Sequence, residues 1–290
     1  MRKLTVLVGV VLWAVVAAGQ DATPKGHLLL IGGGEKPPEV MRKFVELAGG
    51  PSAPIVTIPT ASSEPDAGAY YVKLFREEYG CTDVVSLDIH GPADARRPDY
   101  VELAARAGGI FFGGGDQVRI VTAFAHSPVL AAIGAAFARG AVIGGTSAGT
   151  ACQSPLMITG EGDFSAIRSR SVELLDGLGF FRGVVVDQHF IARQRENRLI
   201  SVILEHPELL GVGIDEDTAA WVRPDGTFEV IGRSSVMVVD ASAAKLSRFP
   251  HNTGQDGLGA HGLKVHVLLP GEVFDVKTRT VVETARAAAN

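Results

Sequence analysis

The segment GGTSAG at 144–149 places Gly145, Ser147 and Gly149 in the spacing G-x-S-x-G. In that spacing a sharp strand-to-helix turn lifts a serine hydroxyl clear of a sheet. Glycines are needed because Cβ atoms in so tight a turn would strike neighbouring backbone. A serine hydroxyl is a weak nucleophile at its free pKa, so it needs a base within hydrogen-bond reach. The chain has eight histidines. His27, His90, His126, His206, His251, His261 and His266 read as surface or loop residues, whereas His189 in DQHF (187–190) directly follows a buried-looking apolar strand. That makes His189 the base for Ser147. A third group must orient the imidazole and stabilise its charged form. IDED (214–217) offers Asp215, Glu216 and Asp217, and spacing does not choose among them; strand alternation only puts Glu216 on the opposite side from its neighbours. The chain order is serine, histidine, acid, unlike the serine, acid, histidine order of the α/β-hydrolases.

Two further segments complete a site for acyl transfer. In GGGDQ (113–117) the N–H groups of Gly114 and Gly115, with that of Ala148 after the serine, could hold a developing oxyanion. A nucleotide loop is the rival reading, but GGGDQ lacks the Gly-Lys-Ser/Thr ending of a P-loop, and IGGGE (31–35) is not a G-x-G-x-x-G run. Arg193, Arg195 and Arg198 follow DQHF closely. On a helix Arg195 and Arg198 share a face, and guanidinium groups there would clamp substrate carboxylates. Those arginines stand out because the whole chain is acidic, with 27 Lys+Arg against 32 Asp+Glu and a formal net charge of −5. Such a balance argues against nucleic-acid binding. Hydrophobic residues make up 46% of the chain, too many for disorder, and two cysteines cannot build a disulfide scaffold. Cys81 and Cys152 either pair in an oxidising compartment or stand as two small buried thiols.

The elements that must carry these residues alternate. HLLLI (27–31), APIVTIPT (53–60), TDVVSLDI (82–89), GIFF (109–112), AVIGG (141–145), GVVVDQ (183–188) and GVGID (211–215) read as apolar strands. Helical stretches separate them: one starting near Pro37 and Pro38, then 66–80, 96–109, 117–127, 128–140 and 193–206. Apolar strands spaced by helices predict a parallel α/β sheet covered on both faces, with the chemistry at the carboxyl ends of its strands. After Asp217 the period changes to two, predicting a C-terminal antiparallel β extension. SRFPHNTGQDGLGAHG (247–262) reads as a loop, and 263–276 as strand. Residues 1–19 have the pattern of a cleaved secretory signal peptide: Arg2 and Lys3, an apolar run from Leu4 to Val16, then Ala17, Ala18 and Gly19. Residues 20–290 are then expected to form a single domain, secreted or periplasmic and with no membrane segment.

LLLIGGGE, FFGGGDQ, GGTSAG, DQHFIARQRENRL, GVGIDEDTA and the late LLPGEVFDVKTR occur in this order along nearly the whole mature chain. Together they resemble the cyanophycinases, within the serine peptidase family that also contains aspartyl dipeptidase (peptidase E). The resemblance implies a flavodoxin-like fold related to the class I glutamine amidotransferases, and a Ser147–His189–Glu216 triad. It implies substrate-binding roles for Gln117, Asp187, Gln188, Arg193, Arg195 and Arg198. It further implies a homodimer without metal or organic cofactor. The activity implied is exopeptidase hydrolysis of cyanophycin, a poly-aspartate whose side chains carry arginine, to β-Asp-Arg dipeptides through an acyl-enzyme on Ser147. The alternative is an aspartyl-dipeptidase-like exopeptidase acting on other aspartyl or isoaspartyl peptides. Two further readings are a secreted binding protein using the arginine-lined cleft and, least favoured, a class I glutaminase, since the elbow carries Ser147 where those enzymes place cysteine. The signal peptide is the departure, since many cyanophycinases are intracellular.

Overall fold

The computed structural model describes residues 24–250 and 254–282, so the expected signal peptide over 1–19 lies outside the described residues. Five parallel strands form the centre: Val84–Ser86, Ile55–Ile58, Gly109–Phe112, Val142–Thr146 and His27–Ile31, in that spatial order. A flavodoxin-like sheet has the order 2-1-3-4-5. Here the first four places are taken in that order, and the chain's first strand fills the fifth. Thr218–Val222 then pairs antiparallel with His27–Ile31, followed by Thr227–Gly232, Val273–Asp275 and Thr280–Val282, which completes a nine-stranded mixed sheet. The fold is α/β with antiparallel β additions, as expected.

Side chains alternate across the sheet, and both faces are covered, which is why the strands read as unbroken apolar runs. Leu29, Ile31 and Phe111 point to the layer holding Phe44, Met41 and Phe75; Leu28, Leu30, Ile110 and Phe112 point the other way. That second layer holds the helices Pro98–Arg106, Gln117–Phe124 and Pro128–Arg139, and it is continuous with a second sheet. The second and third of these helices each start on a capping side chain. The Asp116 carboxylate accepts from Val118 N–H and the Ser127 hydroxyl from Leu130 N–H, each satisfying an amide that the first helical turn leaves unpaired.

Four expectations are corrected. Val184–Gln188 and Leu210–Ile214, read as members of the one parallel sheet, are parallel to each other in a separate four-stranded sheet with Val236–Asp240 and Lys264–Leu268. The stretch 247–262, read as loop, contains most of a hairpin, Lys245–Phe249 paired with Gly257–His261. Its first strand is exposed at every position, so no buried face imposed a period. The helix expected over 66–80 is α-helical only from Ala67 to Lys73 and continues as a π-helical turn, Leu74–Glu78, before Gly80 turns the chain at φ +67°. The helix expected over 193–206 begins at Glu196, which leaves Arg193 in a turn and Arg195 at the cap.

Cys81 and Cys152 are free and buried, in core layers on opposite faces of the central sheet. Burial raises the pKa of both thiols. Among the described residues no single helix is long and apolar enough to cross a membrane.

Candidate active site

Val142–Thr146 ends in a turn that puts Ser147 at φ +52°, ψ −113°, a conformation costing a non-glycine residue roughly 1–3 kcal/mol. Its surroundings hold it there. Ser147 N–H donates to Ile31 O at 3.0 Å, and the Thr150 hydroxyl lies 2.7 Å from Ile31 O and 2.8 Å from Gly145 O. The two flanking glycines have no room for side chains: a Cβ at Gly145 would lie 2.2 Å from Gly149 O, and one at Gly149 would lie 2.3 Å from Phe112 O. The elbow is therefore built against the strands on either side of it.

His189 reaches this serine from the second sheet. It follows Val184–Gln188, turns at φ +48°, and donates its N–H to Gly32 O at 2.7 Å. Its Nε2 is 2.8 Å from Ser147 Oγ and its Nδ1 is 2.6 Å from Glu216 Oε1. With Glu216 accepting, the Nδ1 proton is fixed and Nε2 is left to accept from the serine.

The three adjacent carboxylates, which spacing could not separate, have three different tasks. Glu216 binds the imidazole. Asp215 Oδ1 accepts from Ile191 N–H and Ala192 N–H, fixing the turn after His189, while its Oδ2 accepts from the Ser234 hydroxyl. Asp217 Oδ1 accepts from Glu35 N–H at 2.7 Å, and its N–H donates to Gly33 O at 3.0 Å. This last pair holds the 32–35 loop against the histidine. A Cβ at Gly33 would fall 2.1 Å from His189 Cε1, so the loop touches the ring through bare backbone. The roles of Gly33 and Asp217 were missed in the sequence, where IGGGE was weighed only as a nucleotide loop; consecutive glycines after a parallel strand were the available signal.

A profile described as Peptidase family S51 matches residues 28–230. The chain belongs to peptidase family S51. This S51 chain is accordingly a peptidase, a hydrolase of amide bonds. It is 38% identical over 267 residues to a cyanophycinase of Synechococcus elongatus, an alignment covering 90% of this chain and 83% of the relative. It is also 38% identical to a cyanophycinase of Geminocystis herdmanii, with 88% and 95% covered. The structure of a peptidase from an acI-B1 Actinobacterium superimposes with a TM-score of 0.66 at 24% identity, covering 87% of this chain and 98% of that one; it supports the fold alone.

The other expected site residues of the S51 chain divide by burial. Asp187 and Arg198 are both almost completely buried and face each other in a bidentate pair, with Arg198 Nε 2.7 Å from Asp187 Oδ2 and Nη2 bonded to Oδ1. Their charges are taken up by each other, so they act as supports for Gln188, whose N–H donates to Asp187 Oδ1. Arg195 Nη1 donates to both Gln188 O and Gln188 Oε1. Burial, with Arg198 close by, lowers the Arg195 pKa to about 10. Gln117 uses its amide on Ile158 O and Thr159 O, tying down the strand Leu156–Gly162. Arg193 alone of the cluster projects: its side chain is 53% exposed and lies 3.9 Å from Glu216 Oε1. The helix face expected for three arginines thus separates into one buried support, one half-buried clamp and one half-exposed guanidinium beside Glu216.

Of the three expected oxyanion donors, Gly114 already donates to Tyr71 Oη at 3.3 Å, a long hydrogen bond. The N–H groups of Gly115 and Ala148 make no hydrogen bond to protein among the described residues.

Burial lowers the His189 pKa below the usual 6.5, opposed by the Glu216 hydrogen bond and reinforced by the Arg193 charge. A lowered pKa keeps the imidazole neutral at pH 7, the form a base requires. Activity should therefore fall on acidification only below about pH 6.5. Arg193→Gln removes one lowering influence and should move that acid limb of the kcat/KM profile upward; a limb that stays put or moves down contradicts the coupling. Arg198→Ala leaves the Asp187 charge buried without its partner, and should cost about 3–5 kcal/mol in denaturant unfolding. A loss below about 1 kcal/mol would show that the pair is not a structural support.

Proposed function

We propose that the chain hydrolyses cyanophycin to β-Asp-Arg dipeptides through an acyl-enzyme on Ser147. The observation that carries this reading is the continuous hydrogen-bonded line Ser147 Oγ, His189 Nε2 and Nδ1, Glu216 Oε1, on an elbow whose positions 145 and 149 have room only for glycine. The likeness to cyanophycinases over most of both chains supports the choice of substrate.

Release of β-Asp-Arg fixes which bond breaks. The amide joining arginine to the aspartyl side chain survives, so Ser147 attacks a main-chain carbonyl between two aspartyl residues. His189 Nε2 takes the hydroxyl proton as the C–O bond forms, and Glu216 stabilises the resulting imidazolium. Ala148 and Gly115 N–H groups receive the oxyanion, joined by Gly114 when its N–H leaves the Tyr71 hydroxyl; one such donor is worth roughly 2.7–4 kcal/mol. The imidazolium then protonates the departing amine, the main-chain bond breaks, and water activated by His189 releases the dipeptide from Ser147. Arg193, with Arg195 and Gln188 beside it, sits where the arginine-borne carboxylates of the substrate would dock. The alternative reading, hydrolysis of other aspartyl or isoaspartyl peptides, uses the same chemistry and differs only in what fills the cleft.

Secretion after cleavage near Gly19 and assembly as a homodimer belong to the same proposal, the first from the N-terminal pattern and the second from the family resemblance. N-terminal sequencing of exported protein should begin close to Gln20, whereas material starting at Met1 refutes cleavage; light scattering should give twice the chain mass.

Incubating the mature protein with purified cyanophycin should release β-Asp-Arg, identified by mass. Ser147→Ala should lower the rate by about 10⁶-fold with the fold intact, and Glu216→Gln by up to about 10⁴-fold. Free arginine as the product, cleavage of Asp-X dipeptides in preference to the polymer, or an active Ser147→Ala protein would each overturn the proposal.

A further inference from the structure

The 113–117 loop supplies two of the three expected oxyanion donors, and its backbone is fastened at both ends. Gly113 N–H donates to Ile58 O at 2.9 Å, and Asp116 N–H donates to Ala61 O at 2.9 Å. Gly115 lies against the backbone of Ala61 at φ +138°, where a Cβ would fall 2.1 Å from Ala61 O. The amide joining Gly113 to Gly114 lies between these fixings and is held by neither. A residue without a Cβ stands on each side of it, so its plane can turn over against little steric resistance. Turned over, it would present the Gly113 carbonyl where the Gly114 N–H now points, and a carbonyl oxygen repels a developing oxyanion. Gly114 is close enough for this to matter: a Cβ built there would lie 3.4 Å from Ser147 Cβ.

Among the described residues one group bonds that amide. Gly114 N–H donates to Tyr71 Oη at 3.3 Å and makes no other hydrogen bond. Tyr71 is itself well held. It is 7% exposed, and its ring centroid lies 5.5 Å from that of Phe111 and 5.1 Å from that of Tyr70. A Cβ at Gly113 would fall 2.8 Å from Tyr71 Cε2, so the ring rests on bare backbone there. Burial raises the phenol pKa to about 12, which keeps the acceptor a neutral oxygen. A long bond to a neutral oxygen fixes a direction, yet it is weaker than a charge-assisted bond to an oxyanion. Tyr71 and Gly114 also share the wall of a cavity of about 240 Å³ with Ser62, Glu64 and Tyr70, so the bonded pair borders open space rather than packed side chains.

We infer that Tyr71 is a positioning residue of the oxyanion hole: its hydroxyl holds the Gly114 N–H toward the cavity in the free enzyme and gives it up to the oxyanion as the tetrahedral intermediate forms. The inference rests on the acyl-enzyme reading of Ser147 and holds for any aspartyl substrate. No covalent bond to Tyr71 forms or breaks; one hydrogen bond from Gly114 changes acceptor, from the phenol to the charged oxygen. The exchange is favourable only once charge has developed, so it lowers the barrier without tightening substrate binding. The three donors thereby differ in kind. The N–H groups of Gly115 and Ala148 have no protein acceptor among the described residues, whereas that of Gly114 is kept oriented until the oxyanion takes it.

Tyr71→Phe removes the acceptor and keeps the ring. On cyanophycin or an aspartyl dipeptide, kcat should fall by about 10- to 100-fold, less than deletion of an oxyanion donor costs, while KM moves by less than about twofold. The acid limb of the pH profile should stay in place, because His189 is untouched. A substrate-like aspartyl aldehyde adds to Ser147 as a tetrahedral adduct and places its oxygen where the oxyanion forms. Its affinity should fall by the same factor as kcat/KM, whereas uncleaved substrate should bind Ser147→Ala and Ser147→Ala/Tyr71→Phe equally. In the wild type the Gly114 amide proton should move downfield in NMR when the aldehyde adds, a readout that needs no variant. Unchanged kcat in Tyr71→Phe, a loss carried by KM, or an unmoved Gly114 signal would overturn the inference and leave the acyl-enzyme reading intact. A wild type that turns over no aspartyl peptide and takes up no aldehyde on Ser147 refutes the acyl-enzyme reading, and this inference with it.

Discussion

The rest of the site depends on one imidazole held between two partners that come from different sheets. His189 follows the first strand of the four-stranded sheet, Ser147 leaves the central sheet, and Glu216 lies two residues beyond the strand Leu210–Ile214. Neither sheet alone could make the contact. The two are joined at this point by backbone: Gly32 O accepts from His189 N–H, and Gly33 O accepts from Asp217 N–H. Those two bonds use the glycine loop after the first strand as the seam between the sheets, and the absence of a side chain at Gly33 lets the histidine ring lie on it.

That arrangement explains the shape of the fold around the site. Placing the chain's first strand in the fifth position of the parallel sheet puts Ile31 next to Thr146, so its carbonyl is available both to Ser147 N–H and to the Thr150 hydroxyl. The strained serine is thus braced by the same segment that carries the glycine seam. Charge follows a similar economy. The acidic stretch 215–217 has every carboxylate committed to positioning His189 or a loop against it, and the buried Asp187–Arg198 pair supports Gln188 and, through it, Arg195. What is left to meet substrate is small: the hydroxyl of Ser147, the amides of Gly115 and Ala148, and the half-exposed guanidinium of Arg193.

Much of this was legible in the residues. G-x-S-x-G marks the elbow because the steric demand is local, and the clashes found at Gly145 and Gly149 are of the kind that spacing implies. A histidine just beyond an apolar strand is also a local signal, whereas the choice of Glu216 among three adjacent carboxylates came only from the family resemblance, because the strand ends at Ile214 and alternation does not govern 215–217. The arginine cluster was read less well, because sequence does not distinguish a guanidinium facing a cleft from one buried against a carboxylate eleven positions earlier. The assignment of 183–188 and 211–215 to the main sheet failed for a related reason: strands buried on both faces look alike whichever sheet they join. The hairpin of 245–249 was missed because its first strand buries neither face. The pocket beside Gly114 left no sequence signal, since Glu64 and Tyr71 meet Gly114 only where the 61–66 loop and the helix Ala67–Lys73 pack against the 113–117 loop.

The central claim is that His189 is a neutral base with its proton on Nδ1, held there by Glu216 and presenting Nε2 to Ser147. Nitrogen-15 NMR of the histidine ring measures this directly, with His189 assigned by its loss in His189→Ala. At pH 7 the spectrum should show a neutral ring protonated at Nδ1, titrating below the ordinary value of about 6.5; in Glu216→Gln that tautomer preference should be lost. A ring that is an imidazolium at pH 7, or one protonated at Nε2, would contradict the claim.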